Sequence, residues 1–499
     1  MLGTCMPEAA IDENRNAPPR EQDVGPGAKS AAGTLVHAVA VASPVERTAD
    51  CHLGRSVSLP CPTHPGRDFG RRRFGRTVAH AAVPVSTVDG GGARHGVSVC
   101  SEPTRTESLR RNVDGDLQFL RSTDRPEYER GDSSLSMVDL FAGCGGLTLG
   151  VAEAARRADL ALDVPLAVDF AEAPTRVFAE AFPKASVVHA PVEDFIDGEV
   201  RDPLTPTEQG TVARVREQLG REELDLLVGG PPCQGHSDLN NFSRREDPRN
   251  ALYVRMARAA EVLEPRAVAI ENVPTVVHDK GGVVEITRSV LTDAGYVVAD
   301  SVIRLDQLGV PQRRRRHLLL AVRDGRLDPA SILEHLTVAE DEARNLTWAL
   351  SDLIEREGAR PFDSAGRVSP TNRARIDHLF EHDVDDLPNK LRPICHQGDH
   401  SYVSMYGRLA WDRPAQTITS GYGSMGQGRY VHPSRRRTLT PHEAARLQFF
   451  PDWYPFDVVS GRGEWAQMIG NAVPPKLTMA LTRALIEHGL MPAHVSADE

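Results

Sequence analysis

Residues 224–237 read Leu-Asp-Leu-Leu-Val-Gly-Gly-Pro-Pro-Cys-Gln-Gly-His-Ser, and this stretch constrains the chain more than any other. The apolar run Leu224 to Val228 reads as a buried strand. It stops at Gly229-Gly230, and the two prolines that follow cannot enter a helix or a sheet ladder. A single thiol, Cys233, comes next. In an open α/β sheet chemistry gathers in the crevice beyond the carboxyl ends of the strands. Pro231 and Pro232 restrict φ, so a thiol in this position can be held in one place. Cys233 is therefore the candidate nucleophile, and the rest of the sequence is read for the groups that would serve it.

The 499 residues suffice for two or three domains, and 40% hydrophobic with 25% charged residues is the composition of an ordinary globular protein. No apolar run approaches the roughly 18 residues of a membrane span. The first residues lack the basic-then-apolar pattern of a signal peptide. The seven cysteines (5, 51, 61, 100, 144, 233 and 395) are scattered and odd in number, which suits free thiols in a reducing cytoplasm. Cys51, Cys61 and His64 fit no zinc-finger spacing, so no metal is expected. Net charge is −11, yet basic clusters lie at Arg313–Arg316 and Arg435–Arg437, with Arg244, Arg245 and Arg249 after the cysteine. An acidic body with local basic stripes can still hold phosphates.

Residues 1–133 show neither helical nor strand periodicity and are rich in Gly, Pro, Ala, Arg and Ser, so disorder is expected there. Order is expected from Leu135. A strand to Phe141 runs into Ala142-Gly143-Cys144-Gly145-Gly146 and then a helix to about Arg157. This strand, glycine turn and helix form a site where backbone N–H groups can approach a cofactor. A strand over 165–168 ends at Asp169, placed to hold ribose hydroxyls or simply to cap the next helix. Phe170 follows, either as a stacking ring or as core. Further strands are expected at 186–189, at 224–228 and at 268–270, the last delivering Glu271. Helices are expected over 251–263 and 284–294. An antiparallel pair, 296–305 with 317–322, completes a doubly wound, mostly parallel α/β sheet.

The pattern then breaks. Residues 323–434 are polar and loop-rich and read as a smaller second domain, with 134–322 as the first. Residues 435–490 return to the first domain through a helix capped by Thr440 and Glu443 and a last helix near 475–490, and 491–499 form a tail.

Seven segments occur in an order that resembles the DNA (cytosine-5)-methyltransferase family of bacterial type. They are Asp139–Gly146, Gly230-Pro231-Pro232-Cys233-Gln234, Asp247-Pro248-Arg249-Asn250, Glu271-Asn272-Val273, Gln312–Arg316, Arg446-Leu447-Gln448, and Gly470-Asn471-Ala472-Val473-Pro474. The resemblance implies a class I, Rossmann-like fold that uses S-adenosylmethionine and flips a cytosine out of double-stranded DNA. It implies that Cys233 adds to C6 and that Glu271 contacts N3 and the exocyclic amine. Arg314 and Arg316 would position the base and neighbouring phosphates. Phe141, Gly143, Gly145, Asp169, Phe170 and Asn471 would line the cofactor pocket. Gln234, Ser237 and Arg249 would face DNA, as would Thr417, Thr419 and Gly423 in a target-recognition region at 323–434. A monomer is implied, with a restriction endonuclease as functional partner and a place at the nucleoid. Two positions depart from the family pattern: His236 stands where an aromatic is usual, and Pro191 where an acidic residue near the adenine is usual. Transfer to RNA and a non-catalytic binding role are the competing readings. The sizeable 323–434 segment favours duplex DNA, and intact Cys233 and Glu271 favour catalysis.

Overall fold

A computed structural model of the chain describes residues 115–232, 251–323, 325, 327–338, 344–356, 358, 360–397 and 404–490. Cys233, Gln234, His236, Ser237 and Arg249 lie outside the described residues. Seven strands form one sheet in the order β3-β2-β1-β4-β5-β8-β6. They are β1 (Ser133–Leu140), β2 (Leu160–Asp169), β3 (Val187–His189), β4 (Leu226–Gly229), β5 (Ala267–Asn272), β6 (Val297–Arg304) and β8 (Arg315–Val322). All neighbours pair in parallel except β8, which runs antiparallel to both β5 and β6. This is the doubly wound sheet expected from the sequence, with its switch point between β1 and β4.

The apolar residues of each strand alternate between two cores. Leu135, Met137, Leu226, Val228, Leu318 and Leu320 face one side, and Val138, Leu140, Leu227, Ile270 and Leu319 the other. The first core is covered by α2 (Gly146–Arg157), α7 (Pro329–Val338) and α12 (Lys476–Glu487). The second is covered by α5 (Ala251–Leu263) and α6 (Val283–Asp293). Helix α5 has the limits expected from its apolar spacing. Strand β2 is longer than expected: residues 160–163 pair with 133–136, and the exposed Asp163 interrupts the apolar run that sequence pattern depends on. No helix among the described residues is long and apolar enough to cross a membrane.

Two expected boundaries are corrected. Disorder through residue 133 does not hold from 115 onward. Residues 115–121 form a helix, α1, whose Asp116 is wholly buried. Lys476 Nζ lies 2.6 Å from this carboxylate, Arg344 3.4 Å and Arg157 3.6 Å. Phe119 stacks on Phe449, and Leu120 and Ser122 accept hydrogen bonds from the backbone of Asp452 and Trp453. Every one of these partners is distant in sequence, which is why local composition missed them. The start of the second region also moves. Leu327, Ile332, Leu333, Leu336, Leu346 and Ala349 belong to the first core of the sheet. A separate small core comprises Ile376 and Leu379 of α9 (Pro370–Glu381) with Leu387, Tyr406, Met425 and Val431.

Candidate active site

Strand β1 ends in a turn whose backbone is unusual before its side chains are considered. Phe141 has φ +58°, a left-handed conformation rare for a residue with a side chain. Gly143 (+54°) and Gly145 (+84°) share that region, and α2 starts directly after. A Cβ on Gly145 would come within 2.9 Å of the Phe178 ring and of the Tyr454 hydroxyl, whereas space above Gly143 is open. The Asp169 carboxylate at the tip of β2 binds this turn: Oδ2 accepts from Gly143 N at 2.8 Å and Oδ1 from Ala171 N at 2.9 Å. It therefore tethers the glycine turn and also starts α3 (Glu172–Ala181), and each oxygen keeps a lone pair for a further donor. Phe170 presents a ring that is 69% exposed. His189 at the end of β3 meets the Phe170 carbonyl through Nε2 at 2.9 Å. Pro191 precedes a single helical turn, Val192–Asp194, in which Glu193 and Asp194 are both exposed.

Below the turn sits Asp139, wholly buried. Its Oδ2 accepts from Thr148 Oγ1 at 2.6 Å, and its Oδ1 has no hydrogen-bond partner. Burial pushes this carboxyl up to about 7; Thr148 opposes the shift and nearby Asp169 adds to it. Cys144 is buried and its thiol is pushed up to about 12 by that burial, so it is an inert packing residue.

The second centre lies where β4 and β5 end side by side. Asn272 Nδ2 donates to the Pro231 carbonyl at 3.2 Å, and Asn272 Oδ1 accepts from Val273 N at 2.8 Å. The proline loop is thus pinned to the Glu-Asn-Val segment. A Cβ on Gly230 would stand 3.2 Å from Glu271 Oε2. Glu271 is opposite Leu318 in the β5–β8 ladder and 7% exposed, and Arg316 Nε is 2.5 Å from its Oε1. His317, on the opposite face of the sheet, is buried against Asp300. Its burial pulls the imidazole down to about 4, so it is neutral at pH 7.

With a strand-end carboxylate braced by an arginine beside a Pro-Pro turn, the chain can be set against known proteins. A family model for C-5 cytosine-specific DNA methylases covers residues 135–487. The chain belongs to that family. Type II methyltransferase M1.BsuMI of Bacillus subtilis (strain 168) is 43% identical over 368 residues, which span 73% of this chain and 84% of that protein. M.Eco47II of Escherichia coli is 28% identical over 74% of this chain and 83% of its own length. Type II methylase M.HgiDII of Herpetosiphon aurantiacus is 29% identical over 70% and 94%.

In this methylase the arginine run divides its labour. Arg314 is 2% exposed and donates to three backbone carbonyls, Ile418 at 2.8 Å, Ala472 at 3.1 Å and Gly470 at 3.4 Å. Arg314 is expected from the sequence to position the base and neighbouring phosphates; its guanidinium holds the backbone at 418, 470 and 472, and Arg316 reaches Glu271. Gln312 is likewise buried. Its Nε2 donates to the Leu447 carbonyl and to Gln448 Oε1, both at 2.7 Å, and its Oε1 accepts from Ile418 N at 3.0 Å. Arg446 of α10 (Pro441–Leu447) meets Asp352, Asp452 and the Ala349 carbonyl. Segments 312–316, 417–419, 446–448 and 470–473 thus share one buried polar knot. Sequence order exposed the segments but not the knot.

The methylase's expected recognition residues are partly internal. Thr417 Oγ1 donates to the Arg313 carbonyl at 2.8 Å, and Thr419 Oγ1 bonds the Tyr430 hydroxyl at 2.9 Å. Gly423 is exposed with open space above it. Asn471 is exposed at the end of α11 (Arg462–Asn471), and the Val473 carbonyl two residues on lies against Gly146 at the start of α2.

Proposed function

We propose that this methylase transfers a methyl group from S-adenosylmethionine to C5 of a flipped cytosine in a specific duplex DNA sequence, through a covalent bond between Cys233 and C6. The observation that carries the reading is the coupling of β4 to β5: Asn272 fixes Pro231, and Arg316 braces Glu271 beside Gly230. Cys233 follows Pro232 directly in the sequence.

The glycine turn fits the donor. It offers open space at Gly143, an exposed flat ring at Phe170, and a carboxylate at Asp169 with acceptor capacity left. Phe141, Gly145 and Asn471 complete the set that would hold it. When bound, the donor supplies an electrophilic methyl on sulfonium. The protein's own part runs as follows. The Cys233 thiolate adds to C6, and Glu271 hydrogen-bonds or protonates N3 so that the ring's charge has somewhere to go. C5 then takes the methyl group. Loss of the C5 proton to a base expels the Cys233 thiolate and restores the aromatic ring. Arg316 holds Glu271 in place, and flipping is needed because C5 and C6 cannot be reached inside the stack.

The type II names of the relatives support a modification role with a restriction endonuclease as functional partner, and a DNA substrate would place the protein in the cytoplasm, at the nucleoid. Gln234, Ser237 and Arg249 are assigned to DNA, and the protein is read as a monomer. The test is Cys233→Ala. It should bind the donor with unchanged affinity yet transfer no methyl group to duplex DNA, with transfer RNA as the control substrate. Wild-type protein should form a denaturant-stable adduct with duplex containing 5-fluorocytosine. Undiminished transfer by the variant, or no adduct from active enzyme, refutes the thiol route.

A further inference from the structure

The arginine run has exposed members as well as buried ones. Most arginines among the described residues are tied down: Arg258 to Glu208, Arg316 to Glu271, Arg446 to Asp352 and Asp452. Arg313 and Arg315 are exposed and have no side-chain hydrogen bond or ion pair among the described residues. Arg313 belongs to a two-stranded ladder, β7 (Gln312–Arg313) with β9 (Ala415–Gln416), in which Gln312 pairs with Ala415 and Arg313 with Gln416. Paired residues share a face. Gln312 and Ala415 face inward, and Arg313 and Gln416 face outward together.

This pair opens on a hollow of about 350 Å³ also lined by Ser404, Gln427 and Tyr430. Its walls are held firmly. The Tyr430 hydroxyl donates to the Thr417 carbonyl and bonds Thr419, and the Gln427 side chain lies over Gly421, whose Cβ would stand 2.1 Å from Gln427 Oε1. The side chains of Ser404, Gln416 and Gln427, like that of Arg313, make no hydrogen bond within the described residues. The hollow thus presents one guanidinium and two carboxamides whose side chains make no hydrogen bond within the described residues. Those groups are the ones that pair bidentately with guanine and adenine edges in the major groove. The position also fits. Arg313 lies three positions before Arg316, which spans at most about 11 Å of chain, or about three base steps at roughly 3.4 Å each.

We infer that Arg313, with its ladder partner Gln416, reads the edge of a base pair within about three steps of the target cytosine, and that Thr417 and Thr419 serve only to hold this reader in shape. The assignment rests on the DNA-methylation reading above. It makes Arg313 a determinant of which sequence is methylated, in contrast to Arg314, which is structural.

The test uses full-length protein and a duplex library randomised around a central cytosine, read by sequencing of 5-methylcytosine. Wild type defines the motif. Arg313→Ala should lose preference at one position of that motif, with methylation of the cognate sequence down on the order of 10-fold or more and that of sequences altered at this position little changed. Arg313→Lys should weaken the preference at that position without abolishing it, since an ammonium can reach guanine O6 and N7 but lacks the planar fork of a guanidinium. Gln416→Ala should relax the same or the neighbouring position, and thermal melting would show that each variant is folded. The inference is overturned if the motif is unchanged. It is also overturned if Arg313→Ala weakens all sequences equally with a salt dependence shallower by about one charge, the signature of a phosphate contact. Absence of 5-methylcytosine from wild type would instead defeat the activity reading itself.

Discussion

Asp139 beneath the glycine turn and Arg446 in the polar knot are both wholly buried, but their surroundings complete them differently. Arg446 spends its donors on two carboxylates and a carbonyl, and Gln312 beside it uses both ends of its carboxamide. Asp139 leaves one oxygen without a partner, and the turn above it has open space at Gly143 and an exposed ring at Phe170. Unsatisfied buried polar groups are costly, so where they persist in a native fold a ligand or a function is the usual reason. The knot is built to hold four distant segments together. The turn is built to receive something.

This contrast can be broken in order of expected effect. Arg446→Ala takes the buried cation from Asp452 and Asp352, leaving them His442 and Arg121, and should cost about 3–5 kcal/mol in urea unfolding; a loss below about 1 kcal/mol would remove the knot's structural role. Deleting residues 1–130 takes Asp116 from beside buried Lys476 and Arg344, and should lower stability by several kcal/mol, roughly the effect of breaking a buried pair. Deletion of 1–110 spares that carboxylate and serves as the comparison. Equal melting temperatures for the two truncations would show that α1 contributes nothing.

On the turn side the effects should be on ligand rather than fold. Asp169→Ala removes the tether to Gly143 and the acceptor for a ribose, so S-adenosylmethionine affinity measured by calorimetry should fall about 10-fold or more, the equivalent of one charged hydrogen bond. A large drop in melting temperature with unchanged affinity would mean that Asp169 is only a cap.

The smallest effect is a slope. Asp139 stays protonated in the fold up to about pH 7 but ionises near the usual carboxylate value when unfolded. Between those values the unfolded chain holds fewer protons, so this group erodes stability as pH rises. Asp139→Asn should make the slope of stability against pH more positive than that of wild type between about pH 4.5 and 6, by roughly 1 kcal/mol per pH unit. His317 acts in the same window with the opposite sign: its imidazole is held down at about 4 in the fold but protonates near its ordinary value when unfolded, so it adds stability as pH rises. Burial opposes the charge on His442, but hydrogen bonds from its ring to Asp363 and Asp452 outweigh it, so its stabilisation is present below about pH 6.5 and is lost only above its raised value. Asp452 is held below the ordinary carboxylate range by His442 and Arg446 against its own burial, and its contribution is lost only in stronger acid. Identical slopes for variant and wild type would show that the orphan oxygen carries no cost.

What the sequence determined by itself is the sheet and the ends of its strands. Period-two and period-3.6 patterns are local, and glycine and proline punctuation is local, so β1, β4, α5, Glu271 and the turn at Gly143–Gly145 could all be read along the chain. Tertiary structure alone decided which charged residues are scaffold and which are exposed. In Gln312–Arg316 alternate positions take opposite faces, but nothing in five consecutive polar residues says which face is buried. That depends on carbonyls at 418, 470 and 472 more than a hundred residues away. The same reason hid α1: the partners that neutralise Asp116 come from residues 157, 344 and 476, and only the folded chain brings three cations to one carboxylate.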